Sequence, residues 1–261
     1  MTADGLLGVI GTGVIGASAA LCWRQAGGYA IGYDSDAAAL ERAVERGALD
    51  EAVPREDIDA RADTIVIAAH LDATLREISR LRGNAAVRAG LIVDIASVKV
   101  PVCNAARALR HFVATHPIAG SERSGPDAAR AELFEGRSWA YVPSEDAELS
   151  ARAETFIAAL GGVPVAIAAD EHDRIVAFTS HLPQLIAWAY AGHARRFGPV
   201  AKDLTGILGG ELLRVGASGP AMWREILRAN RDNVGPDAAA FRDALDGLLE
   251  RFGLFDWGKG P

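Results

Sequence analysis

Residues Leu6 to Gly16 read LLGVIGTGVIG, an apolar run of strand length that breaks into glycines and continues as the helix-like VIGASAALCWRQA. Gly11, Gly13 and Gly16 stand at GxGxxG spacing. With 28 glycines in the chain the spacing alone arises easily by chance, but its context is restrictive. A strand running straight into the glycines and a helix running straight out define a tight βα turn. In such a turn Gly11 permits the reversal, Gly13 lets the backbone approach an anion, and Gly16 lets the helix pack on the strand. The helix N-terminus then offers unpaired N–H groups to a pyrophosphate. A glycine-rich turn with no ligand would share this pattern.

Six further apolar runs follow: YAIGY (29–33), TIVIAA (64–69), GLIVDIA (90–96), FVATH (112–116), SWAYV (138–142) and VPVAIA (163–168). Several are nearly continuous in Val, Ile and Ala, as strands buried on both faces of a parallel sheet are. Between them lie segments such as DAAALERAVERGA, with Asp36 and Glu41 early and Arg46 and Gly47 late. Acid first, base last and glycine after is the polarity a helix prefers. The alternation predicts an α/β fold, a Rossmann-like doubly wound parallel sheet. It spans residues 1–169.

From residue 170 to 261 the texture is helical. Ile175, Phe178, Leu182, Leu185 and Trp188 recur every three or four residues, with Pro183 inside the stripe marking a kink or a helix junction. MWREILRANRDNV and AAAFRDALDGLLERFG read as further amphipathic helices. An all-helical region without a sheet is expected to pack against a partner subunit, making the protein a homodimer through this second, dimerisation domain.

At 261 residues and 50% apolar, the chain can bury about three quarters of its unfolded surface. A net charge of −7 gives no electrostatic case for nucleic acid. Two cysteines make no disulfide framework, and no zinc-ligand spacing occurs. The N-terminus lacks a basic region ahead of an apolar one, and its apolar run ends at glycine. It reads as neither a signal peptide nor a membrane span, so a cytoplasmic protein is expected.

Asp34 closes the second apolar run. A carboxylate there accepts hydrogen bonds from the adenosine ribose hydroxyls and repels a 2′-phosphate. Ser35 and Asp36 follow, with no arginine to receive such a phosphate, which favours NAD over NADP. Asp34 could at the same time cap the helix starting near Asp36.

A set of ordered segments completes the reading: DIASVK (94–99), THPIAGSERSG (115–125), ELFEGRSW (132–139), EHDRIVAFTSHLPQ (171–184) and PAMWREILRAN (220–230). In this order they resemble the prephenate and arogenate (cyclohexadienyl) dehydrogenases, from about residue 6 to residue 230. The resemblance implies oxidative decarboxylation of prephenate to 4-hydroxyphenylpyruvate in tyrosine biosynthesis, hydride leaving ring carbon C4 for NAD. Arogenate is the alternative substrate, and an NAD-binding sensor without catalysis the non-enzymatic one. Helical-tailed 3-hydroxyacid dehydrogenases, which use a lysine on the first long helix of their second domain, fit less well, because residues 170–197 contain no lysine.

Carried over residue by residue, the resemblance implies that His116 is the catalytic base, taking the C4 hydroxyl proton. Ser97 matches a serine bonding the substrate hydroxyl or this histidine, and could otherwise cap the next helix. Arg214, nine residues before Trp223, matches an arginine that grips a substrate carboxylate. The upstream KDLTGILGGELL departs from the family's usual phenylalanine-arginine-aspartate-threonine pattern. Glu122 matches an acid able to pair with that arginine, and His181 a polar contact to substrate. His172 and Asp173 read as a helix cap, and Trp188 and Trp223 as core. Gly11, Gly13, Val14, Ile15, Gly16 and Asp34 form the expected cofactor site. Neither a chorismate mutase before residue 6 nor a regulatory domain after residue 261 is expected, so tyrosine inhibition would act at the active site.

Overall fold

The computed structural model describes residues 5–120, 123–198 and 200–254. It divides into two compact units, one running to His172 and one starting at Asp173. Among the described residues, no helix is long and apolar enough to cross a membrane.

The first unit opens with β1 (Leu6–Ile10), α1 (Val14–Gln25), β2 (Tyr29–Tyr33), α2 (Ala37–Glu45), β3 (Glu51–Ala52) and α3 (Arg55–Arg61). It continues through β4 (Thr64–Ile67), α4 (Leu71–Leu81), β5 (Leu91–Asp94), α5 (Val100–Ala106) and β6 (Phe112–Val113). These six strands form one parallel sheet in the order β3-β2-β1-β4-β5-β6. Leu7, Val9, Ile65, Val66, Ile67, Ile92 and Val93 are sealed from solvent, as the continuous apolar runs require of strands covered on both faces. The order reverses between β1 and β4, and a crevice at such a switch point, outside the carboxyl ends of the strands, is where doubly wound sheets hold ligands.

The remaining strands depart from the single sheet expected. FVATH divides: β6 ends at Val113, and β7 (Thr115–Pro117) joins β8 (Ser138–Tyr141) and β9 (Val163–Ala166) in a separate sheet ordered β7-β8-β9. β7 and β8 run antiparallel, with His116 opposite Ala140, whereas β8 and β9 run parallel. The physical reason lies at Thr115. Its N–H donates to Asp94 Oδ1 at 3.0 Å, and its hydroxyl donates to the Asp94 carbonyl. That ties the chain to the tip of β5 and turns it off the first sheet. α6 (Ala147–Ala159), capped by Asp146, links β8 to β9. It brings Phe156 onto Trp139 of β8 and Trp23 of α1. This aromatic cluster, with Phe134 4.8 Å from Trp139 between ring centroids, is the apolar anchor of the smaller sheet.

α7 (Ala169–Val176) crosses from the first unit into the second, followed by a π-helical turn over Ala177–His181 and then α8 (Leu182–Ala194). Pro183 sits in the first turn of α8, where a proline's missing N–H is harmless. The kink or helix junction expected at that proline falls where the π turn gives way to α8. α9 (Val200–Asp203), α10 (Ile207–Gly216), α11 (Pro220–Ala229) and α12 (Arg231–Arg251) complete the unit. A Cβ on Gly216 would come within 2.5 Å of the Ala187 carbonyl, so glycine is what lets α10 lie against α8. The break expected between RDNV and AAAF does not occur: α12 runs through Pro236, and the chain breaks at Asn230 instead.

Candidate active site

The glycine turn is built as its sequence requires. Gly11 adopts φ +97°, and a Cβ there would lie 2.4 Å from the Ala68 carbonyl. At Gly16 a Cβ would lie 2.0 Å from the Gly11 carbonyl, so this glycine seats α1 on β1. Gly13 differs. Nothing lies within 4 Å of where its Cβ would be, and no side chain caps the helix it precedes. The N–H groups of Val14 and Ile15, in the first turn, have no intrahelical acceptor by position. Open space facing uncapped helix N–H groups is the cradle an anion fits.

Asp34 stands at the tip of β2 and holds this turn in shape. Its Oδ2 accepts from the Thr12 N–H at 2.6 Å and from the Thr12 hydroxyl at 3.1 Å. Its Oδ1 accepts from the Asp36 N–H at 2.9 Å. Capping of α2 falls to Asp36, which accepts from Ala38 and Ala39, so the capping alternative for Asp34 is replaced.

The turn after β5 and the strand β7 are linked through the interior. Asp94 and Lys99 are fully buried and paired, Nζ to Oδ2 at 2.6 Å. Lys99 also donates to the Thr115 carbonyl, and the Asp94 carboxylate accepts from the N–H of Ala96 as well as that of Thr115. Trp139 donates its ring N–H to the Thr115 hydroxyl at 2.9 Å. A buried ion pair contributes little net stability, but losing one partner leaves an uncompensated charge. Lys99 thereby clamps the strand that carries His116. Ser97 is half-buried in the same turn and does not cap α5, whose N-cap position is Lys99.

β7 alternates as a strand must. Thr115 and Pro117 are buried, and His116 between them faces the opposite way and is half-buried. Its Nδ1 lies 2.9 Å from Nε2 of His172, the two rings meeting edge to face. His172, expected to cap the helix, instead lies within α7, is 2% exposed, and meets His116.

In the second unit, His181 is 1% exposed at the end of the π turn. Its Nδ1 is 3.2 Å from the Asn230 amide nitrogen, and its ring stands edge-on to Trp223. Asn230 also donates to the Asp173 carbonyl at 2.7 Å, tying the break before α12 to α7. Gln184 donates to the Val215 carbonyl and the Ser218 hydroxyl, holding α8 to the end of α10. Trp188 and Trp223, expected in the core, are half-buried and in edge contact with each other. Arg214 lies half-exposed in the last turn of α10 and pairs with Glu211 one turn earlier, Nη2 to Oε2 at 2.8 Å. That hydrogen bond holds the Glu211 carboxyl below the ordinary carboxylate range. Glu122 lies outside the described residues.

Comparison with known proteins gives the arrangement a family. Residues 19–165 match the model of the prephenate dehydrogenase nucleotide-binding domain, and residues 168–252 match that of the prephenate dehydrogenase dimerization domain. The chain belongs to the prephenate dehydrogenase family. The protein named "Probable prephenate dehydrogenase NovF" of Streptomyces niveus is 33% identical over 256 residues, 93% of this chain and 67% of that one. A crystal structure of prephenate dehydrogenase from A. aeolicus in complex with hydroxyphenyl propionate and NAD+ superposes with a TM-score of 0.82 at 25% identity, covering 95% and 90% of the two chains. Synechocystis arogenate dehydrogenase gives 0.77 at 26% identity, covering 97% and 94%. The chain spans about two thirds of the length of the curated relatives it matches.

Two features of the candidate site were legible only in part in the sequence. His116 stands out beside Pro117 in a glycine-rich segment, but its imidazole partner is 56 residues away and no spacing rule links them. Asn230 and Gln184 read as ordinary polar positions on helices; burial alone distinguishes them.

Proposed function

We propose that this protein is an NAD-dependent prephenate dehydrogenase, converting prephenate to 4-hydroxyphenylpyruvate with release of CO₂. The observation that carries the reading is His116: an imidazole on a strand clamped from within by Lys99 and Asp94, which follows β6 at the carboxyl end of the parallel strands, the end at which the glycine turn follows β1. Supporting it is the relative solved with NAD+ and hydroxyphenyl propionate, a molecule shaped like the product.

The cofactor site fits NAD. The open space at Gly13 and the N–H groups of Val14 and Ile15 would take the pyrophosphate, and Asp34 the adenosine ribose. Bound there, the nicotinamide supplies a hydride acceptor. His116 accepts the C4 hydroxyl proton as the C4–H bond gives up its hydride, and C4 becomes a carbonyl. The C1–carboxylate bond then breaks, its electrons aromatise the ring onto that oxygen, and the proton returns to it. No net proton is released, so His116 must both take and give. Ser97, in the turn after β5, orients the hydroxyl. Arg214 gives up Glu211 to receive a substrate carboxylate, and the family resemblance makes Glu122 an acid that competes for the same guanidinium. His181, buried against Trp223 and Asn230, braces the π turn; a direct contact with substrate requires its cover to move.

A homodimer is part of the reading. Leu204, Ile207 and Leu208 of the second unit are 82%, 91% and 76% exposed, on the region that matches a dimerisation domain. A homodimer would cover such side chains, which the isolated chain leaves in solvent.

Arogenate is the second reading, favoured by the similarity to the Synechocystis enzyme. Purified protein with NAD and either compound, followed by NADH absorbance, decides between them. Turnover of prephenate is expected to exceed that of arogenate. His116→Asn is expected to lower kcat by about 10²–10⁴ with NAD affinity within about twofold of wild type. Absence of turnover with both compounds would leave only an NAD-binding protein.

A further inference from the structure

The Nδ1 of His116 and the Nε2 of His172 are 2.9 Å apart, which is hydrogen-bond distance between two imidazoles. One of the two nitrogens must carry the proton and the other must accept it. We propose that His172 is the positioning residue of the catalytic base, accepting the Nδ1–H of His116 and so fixing the tautomer in which His116 Nε2 carries no proton. This rests on His116 acting as the base in the reaction proposed above.

The choice between the two proton arrangements has a chemical consequence. If His172 donated, His116 would carry its own proton on Nε2 and could not accept one there. If His172 accepts, Nε2 of His116 holds a lone pair for the C4 hydroxyl. Once that proton arrives, both nitrogens of His116 are protonated and the Nδ1–H···Nε2 bond becomes charge-assisted, stronger than the neutral bond it replaces. His172 thus favours the charged form of His116 that arises as hydride leaves and lasts until the proton returns to the product. The proton then passes from Nε2 to the product oxygen, restoring the starting tautomer.

This is the orienting role an aspartate fills in a serine-histidine-aspartate triad, filled here by a neutral ring. The surroundings suit it. His172 is 2% exposed and belongs to α7, while His116 is on β7, so the two rings are carried by different elements. The edge-to-face angle of 72° points a ring nitrogen of one at the other rather than stacking them. The family match covers both residues but gives neither a role.

Two substitutions and one spectrum test it. A glutamine amide oxygen reaches about where Nε2 of a histidine lies, so His172→Gln keeps an acceptor, and His172→Leu removes it. His172→Leu is expected to lower kcat about 10²-fold, with KM for prephenate and NAD affinity each changed less than threefold. His172→Gln is expected to recover kcat to within about tenfold of wild type. A purely structural role would lower the melting temperature and NAD affinity of both variants together. Equal losses in the two, or a His172→Leu enzyme within threefold of wild-type kcat, overturns the proposal. Long-range ¹H–¹⁵N correlation of the wild-type imidazoles, assigned with His116→Asn, reads the tautomer without a folding risk. A proton on Nδ1 of neutral His116 is expected, and one on Nε2 overturns the proposal. The spectrum reads the pair even if neither prephenate nor arogenate is turned over, so failure of the functional reading remains distinguishable from failure of this one.

Discussion

At the residue scale, chemistry in the first unit depends on side chains held by partners distant in sequence. His116 is oriented from α7, its strand is clamped by Lys99 and Asp94, and the Thr115 hydroxyl takes the Trp139 ring N–H. Tyr141, opposite Thr115 in the β7–β8 pairing, shows the same principle in measurable form. Its hydroxyl donates to Glu154, and that bond, with burial adding to it, pushes the phenol up from 10 to about 12. The protonated form is therefore the one the fold favours. Its contribution is complete below about pH 10, the unfolded value, and is lost as pH rises from there through about 12. Tyr141→Phe is expected to remove a tyrosinate absorbance step near pH 12 and to lower stability at neutral pH by about 1 kcal/mol in urea denaturation. A full tyrosinate signal by pH 10 in the native enzyme would contradict it.

At the element scale, the βα turn separates two kinds of glycine. Gly16 is required by packing, since a Cβ would overlap the Gly11 carbonyl; Gly13 has open space and a φ of −62° that any residue adopts. Gly16→Ala is expected to destabilise the protein by about 3 kcal/mol, the upper range for overpacking. Gly13→Ala is expected to melt like wild type yet weaken NAD roughly tenfold, near 1.4 kcal/mol, because its methyl enters the cofactor's space. Differential scanning calorimetry and nucleotide fluorescence titration separate the two. Equal NAD affinity in Gly13→Ala would place the pyrophosphate elsewhere. The π turn at Ala177–His181 is the other element with a consequence. It buries His181 and leaves Phe178 65% exposed, so the apolar stripe read from the sequence is covered at Leu182 but left in solvent at Ile175 and Phe178.

At the scale of the whole molecule, that stripe and the bare Leu204, Ile207 and Leu208 set an assembly prediction. Light scattering is expected to give a species near twice the 27.4 kDa chain mass, shifted toward the single chain by Ile207→Asp with Leu208→Asp. A wild-type monomer at micromolar concentration would refute the dimer. By itself the sequence determined the parallel sheet, the glycine turn and the helical character of the second region, because continuous apolar runs, glycine spacing and helical periodicity are local signals. It also marked His116, through a resemblance spread over most of the chain. Only the tertiary structure decided that FVATH divides between two sheets, that α12 runs through Pro236, that Lys99 is interior, and that His172 meets His116. Each of those depends on what another segment brings to the same place. The Thr115 N–H turns the strand because the Asp94 carboxylate waits there, and an imidazole 56 residues away becomes a partner only once α7 has folded beside β7.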